Sequence, residues 1–147
     1  MTCEECGFRD ELVATDEISG RQRSFGPRFA GALSGAGPAA VRRPEPAVWS
    51  ALEYACHVRD VFLVQRERAV LAQVQDNPRV ARMNRDERVA LCRYDAHPVP
   101  DVLGQLAMAA ELCATVFDGL DEVALASSPR SPAANVIRKV TSKSVSR

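Results

Sequence analysis

Histidine is almost missing from this chain, with two in 147 residues, and aromatic side chains make up only 5%. Lysine is absent until Lys139, so arginine supplies every earlier basic side chain. There is no surplus of either charge sign, since 19 basic residues balance 19 acidic ones. That balance argues against non-specific nucleic-acid binding, which needs a basic excess or patch. It gives no reason to expect attachment to an anionic membrane surface. No apolar run approaches the roughly 20 residues of a membrane span. The opening Met1-Thr2-Cys3-Glu4-Glu5 is polar and acidic, unlike a signal peptide, so a cytoplasmic location is expected. Convincing strands, internal repeats and a glycine-rich phosphate loop are also lacking. Five cysteines at positions 3, 6, 56, 92 and 113 are odd in number and scattered, which fits a reduced compartment better than a disulfide scaffold.

What remains is enough for one ordinary domain, with 46% hydrophobic residues. With few aromatics, alanine, valine and leucine must fill the core, and small side chains favour close helix packing. Helical spacing at Ile18, Phe25, Phe29 and Leu33 predicts a helix over 16–35, kinked near Pro27 or restarting there, because proline and glycine disfavour helix interiors. Residues 34–47 read as a loop rich in glycine and proline. Ser50 and Glu53 form a capping-box pair that opens a helix running to about Gln75. Its apolar arc is Ala51, Ala55, Val58, Phe62 and Ala69, widened by Leu52, Cys56, Leu63 and Val70. Asp76-Asn77-Pro78 ends it. Residues 79–99 predict a charged loop with one short helix. From Pro100 onward, Leu103, Leu106, Ala110, Cys113, Phe117 and Leu120 give a bundle seam. The expected fold is all-α, an up-and-down helical bundle with three secure helices and a short or missing fourth. Its extent is 1–126, including a Cys-x-x-Cys arm over 1–15. Residues 127–147 form an atypical basic, serine-rich tail, within which Asn135–Val140 has room for a turn or two of helix.

The stretch Pro46-Ala47-Val48-Trp49-Ser50-Ala51-Leu52-Glu53-Tyr54-Ala55-Cys56-His57-Val58-Arg59-Asp60-Val61 resembles the helix-opening motif of DinB-like proteins of actinobacterial type. Cys3-x-x-Cys6-Gly7-Phe8 and Arg93-Tyr94-Asp95 are similar to weaker features of the same group, and the resemblance covers roughly residues 1–125. It implies a four-helix bundle holding a divalent metal (Zn, Ni, Mn or Fe) on three histidines, one on the second helix and two on the last. It also implies metal-dependent thiol-transferase or hydrolase-like chemistry with a small-molecule thiol as substrate. His57 matches the first ligand. The His-x-x-x-His pair of the last helix has no counterpart, and His97, the other histidine, precedes the third long helix. A catalytic metal usually needs about three protein ligands. The expected activity is therefore impaired, no general base is assigned, and whether the chain is an enzyme stays open. The alternative is a non-catalytic bundle that dimerises through an exposed apolar seam.

Other candidate residues have plain readings beside the functional ones. His57 shares a helical face with Tyr54, Val61 and Val64, which suits a half-buried flank as well as a ligand. Cys3 and Cys6 offer two thiolates without a second pair and outside a βαβ pattern, so a reduced pair is expected, with a zinc staple or a redox motif as the rivals. Cys56, Cys92 and Cys113 read as small buried hydrophobes. Glu53, Asp60 and Glu67, seven apart, read as a solvated stripe rather than a carboxylate site. Arg79, Arg82, Arg85, Arg88 and Arg93, interspersed with Asp86, Glu87 and Asp95, read as a mixed-charge surface. Trp49 reads as a core anchor at the hydrophobic-staple position.

Overall fold

The computed structural model describes residues 15–120. The chain forms α1 (Thr15–Arg23), α2 (Phe25–Ala36), a 3₁₀ turn (Gly37–Val41), α3 (Ala51–Val74), α4 (Arg85–Leu91), a second 3₁₀ turn (Tyr94–Ala96) and α5 (Val99–Asp118). There is no strand among the described residues. The fold is an all-α helical bundle. The Cys3-x-x-Cys6 arm, the tail from 127 and the short helix expected at Asn135–Val140 lie outside the described residues.

The first predicted helix is two helices, broken at Ser24. The Ser24 hydroxyl donates to the Arg21 carbonyl at 2.6 Å, closing α1 locally. Pro27 then falls in the first turn of α2, where its missing N–H leaves no helical bond unmade. α2 runs further than expected, to Ala36, and Gly37 ends it at φ 51°, with its N–H reaching the Leu33 and Ser34 carbonyls. The predicted loop over 34–47 is therefore part helix and part 3₁₀ turn.

α3 begins as its sequence dictates. Glu53 N–H donates to the Ser50 hydroxyl at 3.2 Å and Ser50 N–H donates to the Glu53 carboxylate at 2.7 Å. Trp49, before the cap, packs on Tyr54 in the first turn with ring centroids 5.3 Å apart, which is the hydrophobic staple. Two apolar clusters fill the bundle. One joins Leu33, Ala40, Leu52, Ala55, Cys56, Val89, Tyr94, Val102 and Leu106. The other joins Ile18, Phe62, Ala69, Ala109, Ala110, Cys113 and Phe117. Each large aliphatic side chain fully buried in this way contributes roughly 1.5–3 kcal/mol.

These clusters fix the helix directions. The early residues of α3 pack with the early residues of α5, and the late with the late, so the two long helices run parallel. α1 and α2 run antiparallel to both: Arg23 reaches Glu111 and Asp118, whereas Leu33 packs with Val102 and Leu106. A parallel pair needs a connection that returns along the bundle, and residues 75–98 supply it. Arg68 donates to the Ala81 carbonyl, Arg88 pairs with Asp60 at 3.6 Å, and the Cys56 thiol lies 3.9 Å from the Tyr94 carbonyl. The return stretch thus descends one side of α3, from its last turns to its first.

α5 is 20 residues long and apolar enough to cross a membrane by length and composition. No continuous apolar run marks it in the sequence, because Asp101 and Glu111 interrupt it. In the bundle α5 is the helix against which α1, α2 and α3 all pack, and its buried face runs from Val102 to Phe117.

Candidate functional site

The His57 side of α3 is where the sequence places chemistry, and the return stretch covers it with arginines. His57 is half-buried, and its ring meets Trp49 edge-on at 5.1 Å between centroids. Its Nδ1 is buried and has no hydrogen-bond partner among the described residues. Burial first, and then the nearby Arg85 charge, hold the imidazole below the ordinary histidine value, with Asp60 and Asp86 opposing. The guanidinium of Arg85 lies 5.7 Å from the centre of the Trp49 ring, a cation–π distance. Trp49 thus touches Tyr54, His57 and Arg85 together.

One turn along from His57, Asp60 is the hub of a buried polar network. Its carboxylate accepts from the Tyr94 hydroxyl at 2.6 Å and from Arg59 Nε at 2.8 Å, and pairs with Arg88 at 3.6 Å. Arg59 also donates to the Gln105 side chain at 2.6 Å and lies over the Tyr94 ring. Burial, and then the adjacent Asp60 carboxylate, push the Tyr94 hydroxyl well above its ordinary value, so it stays a donor. A second pair closes the mouth of α3: Arg43 grips the Glu53 carboxylate with Nε at 2.9 Å and Nη2 at 2.6 Å, a bidentate geometry.

The structure corrects three readings. Glu53 and Asp60 are 3% and 7% exposed, not members of a solvated stripe. Only Glu67 is exposed, beside Arg66. The two buried carboxylates persist because each has a guanidinium and a further donor. Of the three helical cysteines, Cys56 and Cys113 are buried as expected, but Cys92 is exposed at the end of α4. α4 is only seven residues long and buries Val89 alone, so the Cys92 side chain has no core to enter. Leu63, expected to widen the core face of α3, is also exposed.

Arg59, Tyr94 and Gln105 are the network members that sequence reasoning missed. The signal for Arg59 was present: it stands four residues after Ala55 and three before Phe62, inside the apolar arc, where a charge must find a partner.

The described residues do not by themselves make a metal centre. Among the described residues there is no group of three or more His, Cys, Asp or Glu able to hold a metal ion. His97 does not join His57: its Nε2 lies 3.1 Å from the Cys92 carbonyl oxygen. From residue 121 onward the sequence has neither histidine nor cysteine. Among the described residues His57 Nδ1 has no partner, and the charges around the ring are Arg85, Arg88, Asp60 and Asp86.

Fold and site together define an all-helical bundle protein with a half-buried histidine, His57, on α3. The family model of the DinB superfamily matches residues 27–142, and the chain belongs to that superfamily. The match begins within α2, so α1 and the Cys3-x-x-Cys6 arm lie outside it, and it extends past residue 127, where the sequence reading placed the start of an atypical tail. No curated protein and no solved structure matches the chain.

Proposed function

We propose that this chain is a DinB-superfamily protein in which the metal-dependent thiol-transferase or hydrolase-like chemistry of the family is impaired. His57 is the remaining position of the family's ligand set, and a small-molecule thiol is the substrate class that an intact site would serve. The observation that carries this reading is the unpartnered Nδ1 of His57 beside Arg85 and Arg88, with no group of three or more His, Cys, Asp or Glu able to hold a metal among the described residues. Asp60, the nearest acidic side chain along α3, is already committed to Arg59 and Tyr94. A labile divalent ion needs more ligands than one neutral imidazole.

Metal content per purified chain, compared between wild type and His57→Ala, tests the proposal. Negligible Zn, Ni, Mn and Fe in both supports it. Near one equivalent in the wild type, lost in the variant, overturns it, because other groups would then complete a site on His57.

A second reading is a non-catalytic bundle that pairs with its own copy. Met108 and Leu112, one turn apart on α5, are 66% and 44% exposed, and Leu63 is exposed on the neighbouring α3. Apolar side chains open on the central helix favour association. Light scattering decides it: a strict monomer across a wide concentration range removes this reading.

A further inference from the structure

We propose that α5 crosses α5 of a second copy of this chain, antiparallel, on a two-fold axis at Met108, with Leu112 of each copy seated over Gly104 of the other. The inference rests on the self-association reading above, and it names the surface and the geometry of that contact.

The open face of α5 is the first argument. The helix is apolar enough to cross a membrane by composition, yet 33% of that apolar window is buried within the chain. Met108 and Leu112 lie open on it, and Gly104 and Thr115 continue the face about one turn further at either end. Gly104 is the residue that the bundle does not explain. Glycine inside a helix costs about 1 kcal/mol against alanine. A Cβ at Gly26 would press on Ala107, but a Cβ at Gly104 would meet nothing within 4 Å, so no contact among the described residues calls for glycine there. A missing Cβ does leave a hollow that lets another helix approach closely.

Spacing and charge point to a second copy as the partner. Gly104 and Leu112 stand four residues before and after Met108, on one ridge of the helix. A two-fold axis at Met108 therefore sets each Leu112 over the other copy's Gly104, a self-complementary contact of the isologous kind. Met108 meets its own copy on the axis, where its flexible thioether adapts to the gap. The Arg59–Gln105 hydrogen bond fixes the register of α3 on α5, which places exposed Leu63 beside the axis to widen the apolar contact. α5 has no basic residue, and its open side carries Asp101 and Glu111. A parallel pair in register would set each of these against its own copy. The antiparallel pair brings Asp101 opposite Thr115 and Glu111 opposite Gln105, so no like charges meet. Gln105 accepts from Arg59 through its side-chain oxygen, which leaves its amide N–H groups to donate to Glu111 of the second copy.

Sedimentation velocity of the full chain over a concentration series, for wild type and Gly104→Leu, tests the pairing. The wild type is expected to dimerise, and Gly104→Leu to raise the dissociation constant at least about tenfold, because the hollow is filled. The same change is expected to leave the fold as stable as wild type in urea, since the position is open within the chain. A second probe is cross-linking by a short bis-maleimide in a Cys3→Ser, Cys6→Ser, Cys92→Ser background. There Met108→Cys is expected to give a covalent dimer, and Thr115→Cys, which faces Asp101 of the second copy, far less of one. A wild type that stays monomeric throughout overturns both the pairing and the self-association reading, and its flotation with phosphatidylcholine vesicles would assign the face to lipid instead. A dimer that Gly104→Leu leaves equally tight, or that Thr115→Cys links as readily as Met108→Cys, overturns this pairing and keeps self-association.

Discussion

The Tyr94 hydroxyl donates to the Asp60 carboxylate at 2.6 Å, and both residues are buried. This bond ties the return stretch to the middle of α3, thirty-four positions earlier in the chain. Removing the hydroxyl in Tyr94→Phe leaves Asp60 short of a donor in a place water reaches poorly. The expected cost is about 1–3 kcal/mol, the penalty of an unmet buried polar group. Asp60→Ala is expected to cost more, about 3–5 kcal/mol, because it strands the buried Arg59 charge. Urea denaturation of the two variants checks the order. A Tyr94→Phe protein as stable as wild type would mean that the network does not hold the return stretch in place.

The Glu53 carboxylate gives a pH dependence whose sign is fixed. Burial alone would push this carboxyl up, but the hydrogen bonds from Arg43 and from the Ser50 N–H outweigh burial and hold it below the ordinary carboxylate value. A folded pKa below the unfolded one means that the unfolded chain binds protons first as pH falls. The stabilisation is thus fully present above the ordinary range near 4.5 and is lost as pH drops through the lower folded value. Glu53→Gln is expected to be less stable than wild type at neutral pH, with the gap closing in acid. A gap that stays constant from neutral pH into the acid limb would show that this carboxylate is not preferentially ionised in the fold.

The helices were legible where the sequence solves its problems locally. Ser50 and Glu53 announce the start of α3, and the seam on α5 is correct at Leu106, Ala110, Cys113 and Phe117. What was hidden depends on contacts distant in sequence. Periodicity shows that α3 and α5 each have an apolar face, but it does not show that they run parallel. That follows from the return stretch, whose anchors are Arg68 to Ala81 and Asp60 to Arg88. The burial of Asp60 was hidden for the same reason, since its partners lie on three different elements. His57 was found through family resemblance, and its arginine neighbours came only with the fold.

Thiol reactivity should rank the cysteines by burial. Desolvation pushes the Cys56 thiol up to about 11 and the Cys113 thiol up to about 12, so neither forms much thiolate at neutral pH. Cys92 is exposed. In a Cys3→Ser, Cys6→Ser background, one thiol is expected to react readily with an aromatic disulfide reagent in the native state, and two more only after denaturation. Mass spectrometry of the modified peptide should locate the first label on Cys92. Comparable rates at all three positions would mean that the bundle opens far more often than its packing suggests.

Gly26 lies at a close contact of α2 with α5. A Cβ built there would stand 3.3 Å from the Ala107 side chain, closer than an ordinary methyl contact. Two small residues at this crossing let the first arm of the bundle lie close against its central helix, and a larger side chain at Gly26 presses on Ala107. Gly26→Val is expected to destabilise by about 1–3 kcal/mol through overpacking. The glycine-to-valine change also raises steric demand at one neighbour above all, so the loss should be partly recovered by Ala107→Gly. A double-mutant cycle measures that recovery. Additive losses at the two positions would show that α2 shifts on α5 as a whole, and that the Gly26–Ala107 contact does not set the spacing of the helices.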